Sequence, residues 1–236
     1  MSLPPSRWRC DYSAMSYRGL VAGVAMLSAC AQAGAGLERA DASIGSSDGN
    51  TTDSPGTTDG QPIDGPPACT PMTVNLLQNG NFDATPLATM WTETRYGNEL
   101  IVRNDGFAAQ TGTSKAWLGG VTGSAAADAL HQDVAVPASA TGISLTGYYH
   151  VITGESGATV YDHGNIDLAT TAGTVIEAVA ALDNAHATTG WTSFTKTFTQ
   201  NIAGMTVRVR LSSTNDILNA TSFYFDTLAL NATVCP

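Results

Sequence analysis

Positive charge is scarce in this chain: ten Lys and Arg stand against twenty Asp and Glu in 236 residues, a formal net charge of -10. That balance repels a phosphate backbone instead of releasing its counterions, which excludes a nucleic-acid binder of the usual basic kind. Cysteine is scarce as well, four in all with no Cys-x-x-Cys pair, so structural zinc lacks its ligands. The four histidines, His131, His150, His163 and His186, form no His-Glu-x-x-His motif, and Gly154-Glu155-Ser156-Gly157 misses the Gly-x-Ser-x-Gly elbow by one position. Asp162-His163 and His131-x-Asp133 put acid near base without a nucleophile, so both pairs read as surface or structural. Glycine-rich phosphate loops are missing. With these motifs gone, the chain reads as a non-enzyme. Aromatics make up only 7% of the residues, while Gly, Thr, Ala and Val are abundant, a composition of many short strands and turns rather than long helices.

Long apolar runs are missing too. The stretch between Arg18 and Cys30, Gly-Leu-Val-Ala-Gly-Val-Ala-Met-Leu-Ser-Ala, is shorter than the roughly 20 residues a bilayer span needs, and it fits the apolar region of an export signal. Leu27-Ser28-Ala29-Cys30 resembles the lipobox of bacterial lipoproteins. The resemblance implies a signal peptide over residues 1–29, lipid attached to Cys30, and a protein anchored to the bacterial envelope rather than spanning it. Ala31 in place of Asp is similar to what outer-membrane members of that class carry. Met15, followed by Ser16, Tyr17 and Arg18, offers a more conventional start than Met1.

Residues 30–68 hold no aromatic and only Leu37, Ile44 and Ile63 as bulky aliphatics. They cannot bury enough surface to offset the entropy of ordering. Glu38, Asp41, Asp48, Asp53, Asp59 and Asp64 face the single base Arg39, so an extended, disordered acidic linker is expected. Its Asp-Gly steps lack the regular acidic spacing of a calcium loop.

From Cys69 the composition becomes that of a globular domain, expected over 69–236. Cys69 and Cys235 open and close it, and in an exported protein they are candidates for one disulfide, with two free thiols as the alternative. Period-two runs separated by turn residues recur throughout. Met205-Thr206-Val207-Arg208-Val209-Arg210-Leu211 is the clearest, with apolar side chains on one face and Arg208 and Arg210 on the other. Residues 130–136 and 143–151 alternate as well, and further strands are expected near 73–78, 90–95, 99–103, 115–118, 157–168, 173–180, 191–199 and 222–230. The only hint of a helical stripe is weak, at Val175–Leu182. In the last strand Phe223 and Phe225 share one parity, Leu228 and Leu230 the other. A β-bulge across Asp226-Thr227 would turn all four inward. The expected fold is all-β: a two-sheet antiparallel β-sandwich.

The series Asn75-Leu76-Leu77-Gln78-Asn79-Gly80-Asn81-Phe82-Asp83, Trp91, Ala116-Trp117-Leu118-Gly119-Gly120, Leu130-His131-Gln132-Asp133-Val134, Tyr161-Asp162, Trp191 and Ser222-Phe223-Tyr224-Phe225-Asp226 resembles the jelly-roll carbohydrate-binding modules, the galactose-binding-like β-sandwiches. The resemblance implies a jelly roll, a glycan or glycoconjugate as partner, and a structural Ca²⁺ where first and last strands meet. Carried over, the ion's ligands are Asp83 and Asp226 with carbonyls of Asn79 and Asn81. Asp83 stands where the family has Glu, and Thr227 where it has a second Asp. An Asn-Gly turn and a hydrogen-bonded bulge Asp are the alternative to an ion.

Ligand contacts in such modules combine aromatic faces with polar side chains. Tyr148 and His150 lie opposite the parity of Ile143, Leu145 and Val151 and are expected to face solvent. Arg208, Arg210 and Tyr96, the last in a polar stretch, complete the candidate ligand-binding set. Trp91, Trp117 and Trp191 fall at core-like positions, where packing is preferred to sugar stacking. A protein-interaction or adhesion module without glycan specificity is the alternative function. Asn50, Asn219 and Asn231 begin N-x-Thr sequons, relevant only in a eukaryotic secretory route.

Overall fold

The computed structural model describes residues 69–235. The signal segment, lipidation at Cys30 and the acidic linker expected over 1–68 lie outside the described residues.

Eleven strands run through the described region: β1 (Met72–Asn75), β2 (Thr92–Thr94), β3 (Val102–Arg103), β4 (Lys115–Gly119), β5 (Ala126–Ala135), β6 (Ala140–Thr153), β7 (His163–Thr170), β8 (Val175–Asp183), β9 (Thr192–Thr197), β10 (Thr206–Asn215) and β11 (Thr221–Val234). One sheet has the order β3-β4-β11-β6-β9, with β1 also paired to β11; the other has the order β2-β5-β10-β7-β8. Every pairing is antiparallel. The expected two-sheet sandwich is the fold.

Alternation along the strands supplies the core. From β10 come Val207, Val209 and Leu211, and from the facing sheet Leu118, Leu145, Phe223 and Phe225, all without solvent exposure. Each such side chain contributes about 1.5–3 kcal/mol relative to an exposed one. Gln132 is a polar exception on the inner face of β5. It accepts the Gln78 N–H and donates its amide to the Gln78 carbonyl, both at 2.8 Å, which fastens the segment after β1 across to the second sheet. Cys69 and Cys235 form a disulfide with Cα atoms 5.7 Å apart, closing a separation of 166 residues beside the β1–β11 pair.

Two irregularities matter for reading the sequence. The strand expected near 173–180 is present as Val175–Asp183, and the weak helical stripe there forms no helix. Register shifts between Ile166 and Asp167 and between Leu168 and Ala169, where β7 pairs with β8, break the alternation of an edge strand and imitate a longer period. In β11 the expected bulge is present. Asp226 pairs with Tyr148 and Ala229 with Thr146, so one extra residue is accommodated, and Thr227 takes a φ of 54°. Phe223, Phe225, Leu228 and Leu230 are consequently all buried. The bulge also leaves room for the turn after β1. The Leu228 N–H donates to the Gly80 carbonyl at 2.8 Å, an approach so close that a Cβ on residue 80 would collide with the Leu228 carbonyl.

Candidate functional site

The carboxylates of Asp83 and Asp226 converge on one loop. Asp226, fully buried, accepts the N–H groups of Gln110 (2.8 Å) and Thr111 (3.0 Å) on Oδ2 and that of Thr227 (2.6 Å) on Oδ1. Asp83 Oδ1 accepts Thr113 and Ser114 N–H, each at 2.9 Å, and the Thr113 hydroxyl at 3.1 Å; its Oδ2 accepts the Asn81 amide at 3.1 Å. Burial pushes the Asp226 carboxyl up to about 6 against the pull of its three amide donors, with the Asp83 charge adding to the rise. In Asp83 burial is outweighed by the Thr113 and Ser114 N–H bonds, and its carboxyl lies below the ordinary range.

Of the residues expected to hold calcium, the two carboxylates fit in part. Asp83 Oδ2 and Asp226 Oδ1 each accept a single hydrogen bond and keep a lone pair for a hard cation. Asn79 does not fit. Its carbonyl accepts the Trp91 indole N–H at 2.9 Å and the Phe82 N–H at 3.2 Å, and its side chain is spent on Ala84 N–H and the Thr89 carbonyl. The Asn81 side chain donates its amide N–H to Asp83 Oδ2, which leaves only its backbone carbonyl, the expected ligand, for an ion.

The loop so held, residues 104–114, folds over the outer face of the β3-β4-β11-β6-β9 sheet. Lys115, itself buried, donates from Nζ to the Asp105 carbonyl and secures its other end. Phe107 rides on the loop and lies 4.6 Å from the His150 ring, 5.1 Å from Tyr224 and 5.9 Å from Trp191, centroid to centroid. His150 is therefore only 4% exposed, not solvent-facing as strand parity suggests: its parity is outward, but the loop covers it. Burial lowers the His150 pKa, and Nδ1 lies 3.0 Å from the Gly190 carbonyl, which can only accept, so the network assigns the ring proton to Nδ1. Tyr148, two residues earlier on the same face, is half-buried. Trp191 donates its indole N–H to the Ala108 carbonyl at 3.3 Å and sits on this outer face too. Of the three tryptophans expected in the core, only Trp91 packs there, 5.2 Å from Phe82.

Trp117 continues the aromatic row outward. It is opposite Tyr224 in register, with ring centroids 6.0 Å apart, and the Arg103 guanidinium lies 4.5 Å above its ring. Beside it opens a cleft of about 260 Å³ lined by Tyr96, Asn98, Glu99, Leu100, Arg103 and Trp117, with Asp128 and Gly119 also lining it. Asp128 positions both walls: one carboxylate oxygen accepts the Tyr96 N–H at 2.7 Å, the other the Gly119 N–H at 2.9 Å. Glu93 accepts the Val102 N–H at 2.7 Å and anchors the far end of the 95–101 loop. Tyr96 and Leu100 remain 40% and 47% exposed. The result is a small apolar cleft with an amide, a carboxylate and a guanidinium at its rim.

The candidate ligand residues thus do not form one site. Tyr96 lines the cleft, and Tyr148 and His150 lie along the same sheet. Arg208 and Arg210 are on the outer face of the other sheet, committed to carboxylates. Arg208 makes a two-bond pair with Asp133, at 2.7 and 2.9 Å, and Arg210 reaches Asp167 at 2.7 Å. Asp162 and His163 point apart, one buried and one exposed. Sequence reasoning missed Arg103, Glu99 and Asp128, which come together only through the 95–101 loop. The strand expected near 99–103 contains Glu99 and Arg103, but its place beside Trp117 follows only from the pairing of β3 with β4.

No protein-family model matches the sequence, and no curated protein matches it. Among solved structures the chain is similar to TmCBM61, in complex with β-1,4-galactotriose, at 15% identity over 66% of this chain and 97% of that one, with a TM-score of 0.47. It is also similar to the CBM22-1 xylan-binding domain from Paenibacillus barcinonensis Xyn10C, at 14% identity over 72% and 97% of the two chains, TM-score 0.38. A third similarity is to a xylan-binding domain from CBM 22, at 13% identity over 68% and 96%, TM-score 0.41. These neighbours are carbohydrate-binding-module β-sandwiches. At such values the likeness concerns the course of the chain, and the reading of the site rests on the residues described above.

The ion-paired assignment of Arg208 is testable. Arg208→Ala should lower stability at pH 7 by about 0.2–1 kcal/mol, the scale of an exposed pair. Arg208 holds the Asp133 carboxyl below its ordinary value, so the pair stabilises above the unfolded carboxylate pKa and the benefit fades as pH falls through the lowered native one. Urea unfolding of both proteins should therefore converge in strong acid; a deficit that persists there would contradict the pairing.

Proposed function

We propose that this protein is a non-catalytic glycan-binding module of the bacterial envelope that engages saccharides through the cleft between Tyr96 and Trp117. One observation carries the reading: a cleft of about 260 Å³ that leaves Tyr96 40% exposed beside Asn98, Glu99 and Arg103. A sugar ring offers an apolar C–H face and a rim of hydroxyls, and this cleft has an aromatic ring for the first and donors and acceptors for the second. The volume is just under the roughly 300–1,000 Å³ of ordinary ligand pockets, a size for one or two sugar units. Binding of the purified protein to a glycan array, followed by calorimetry, checks it. Tyr96→Ala should weaken binding about tenfold or more, as expected of an aromatic anchor, and Arg208→Ala should leave it unchanged. No glycan bound at all would refute the reading. The alternative, a protein-interaction module, draws on Ile217 and Leu218, 59% and 57% exposed in the loop after β10. It would be favoured by a specific protein partner whose binding is lost in Ile217→Ser and unaffected by Tyr96→Ala.

Calcium belongs to the same proposal. Asp83 and Asp226 would hold the ion, which supplies positive charge between two neighbouring carboxylates and so ties the 110–114 loop to the bulge. EDTA should lower the melting temperature, and Asp226→Ala should remove that sensitivity; a melt unmoved by chelation counts against the ion.

The N-terminal region is proposed to carry acyl chains on Cys30, anchoring the module to the envelope, most simply at the outer membrane. Each buried CH₂ adds roughly 0.8 kcal/mol of membrane affinity. Cells fed a clickable fatty acid should label the protein, and Cys30→Ala should abolish the label; equal labelling of both would exclude this anchor.

A further inference from the structure

The inner face of the second sheet is apolar along most of its length and turns polar at one end. Val207, Val209 and Leu211 of β10 are followed on the same parity by Ser213 and Asn215. On β7, Ile166 and Leu168 are preceded by Gly164 and, just before the strand, Asp162. The β10–β7 pairing sets Ser213 against Gly164 and Thr214 against His163, so Asn215 comes beside Asp162. The Asp216 N–H, donating to Asp162 Oδ1 at 2.8 Å, holds them together. Side chains directly opposite on antiparallel strands have Cβ atoms about 4.5–5.5 Å apart, close enough for their oxygens to meet around one small ion.

Three oxygens at this end are buried without a hydrogen-bond partner among the described residues: Asp162 Oδ2, Asn215 Oδ1 and Ser213 Oγ. The residues are 0%, 5% and 2% exposed. The Asn215 amide is oriented by its Nδ2, which donates to the Thr221 carbonyl at 2.8 Å, so the unpaired atom is the oxygen. Gly119 of β4 covers it, and a Cβ there would collide with that oxygen. No Lys, Arg or His forms an ion pair with Asp162 among the described residues. A buried carboxylate left so costs several kcal/mol, and unpaired neutral oxygens beside it add to that.

We propose that Asp162, Asn215 and Ser213 bind a small monovalent cation, sodium, inside the sandwich. The donor set is all oxygen, which selects hard ions over the soft metals that thiolate and imidazole would take. The neighbouring Asp128 carboxylate, opposite Ser213 in the β10–β5 register, is spent on the Tyr96 and Gly119 N–H groups, so the donor set itself carries a single negative charge. A monovalent ion neutralises it, whereas a divalent ion would leave an uncompensated positive charge in the interior. This site is distinct from the Asp83–Asp226 junction, which offers two carboxylates.

Melting the full chain in EDTA, in sodium, potassium or choline chloride at equal ionic strength, tests the assignment. The melting temperature should be higher in sodium than in choline by about 2–4 °C, an effect of binding to the folded state alone. Asp162→Asn should remove the difference, and Ser213→Ala should raise several-fold the sodium concentration giving half of it. Broadening of the ²³Na resonance by the folded protein, lost in Asp162→Asn, reads the ion directly. If Asp162→Asn does not fold, as judged by circular dichroism, the Ser213→Ala titration decides. Identical melts in all three salts, or a sodium effect untouched by the Ser213 and Asp162 substitutions, would overturn the proposal.

Discussion

Asp226 carries a carboxylate into a position without solvent exposure, and the N–H groups of Gln110, Thr111 and Thr227 make that tolerable. A buried charge without such partners costs several kcal/mol, so the loop that supplies two of the three donors is held as firmly as the carboxylate itself. The extra residue in β11 aims Asp226 out of the core and toward the loop. It also places Thr227 in the left-handed region, uncommon for a β-branched side chain. The Thr227 hydroxyl bonds Gln110 and Thr111 side chains, both at 2.8 Å, so the strain is held in place by the same loop.

What the loop then does is decide which part of the sheet meets solvent. Phe107 closes the middle of the aromatic row over His150 and Tyr224, and the outermost members, Trp117 and the Tyr96 loop beyond it, border the open cleft. An aromatic stripe that runs across three strands is thus divided into a covered part that packs and an open part that is available to a ligand. Asp128 repeats the logic at the cleft: one buried carboxylate and two backbone N–H groups, which bring the 95–101 loop and the end of β4 together. In both places a carboxylate on a strand organises loops that have little apolar surface of their own.

Such polar fastening also explains how the molecule tolerates so many short, Gly- and Thr-rich connections. Gln132 binds the segment after β1, Asn184 gathers the N–H groups of Tyr161 and Asp162, and the disulfide joins the two ends of the domain. The opposite face of the sandwich is different in kind. There Arg208 and Arg210 are committed to ion pairs with Asp133 and Asp167.

Strand alternation was legible wherever one face of a strand packs on the core, because period two follows directly from backbone geometry. Val207-Arg208-Val209-Arg210-Leu211 shows this, and so does the parity change that located the bulge at Asp226-Thr227. Convergence of Asp83 and Asp226 was legible only through resemblance. Exposure along the aromatic row was not legible: parity says that His150 points away from the core, but cannot say that residues 104–114 return to cover it. The strand expected near 173–180 is there as Val175–Asp183, and register shifts with β7 explain the weak helical stripe that accompanied it. By itself the amino-acid order determined which side chains share a face. Which of those faces a loop covers, and which buried oxygens are left unpaired, was decided by contacts between residues distant in the chain, such as Gln110 with Asp226, where local pattern carries no information.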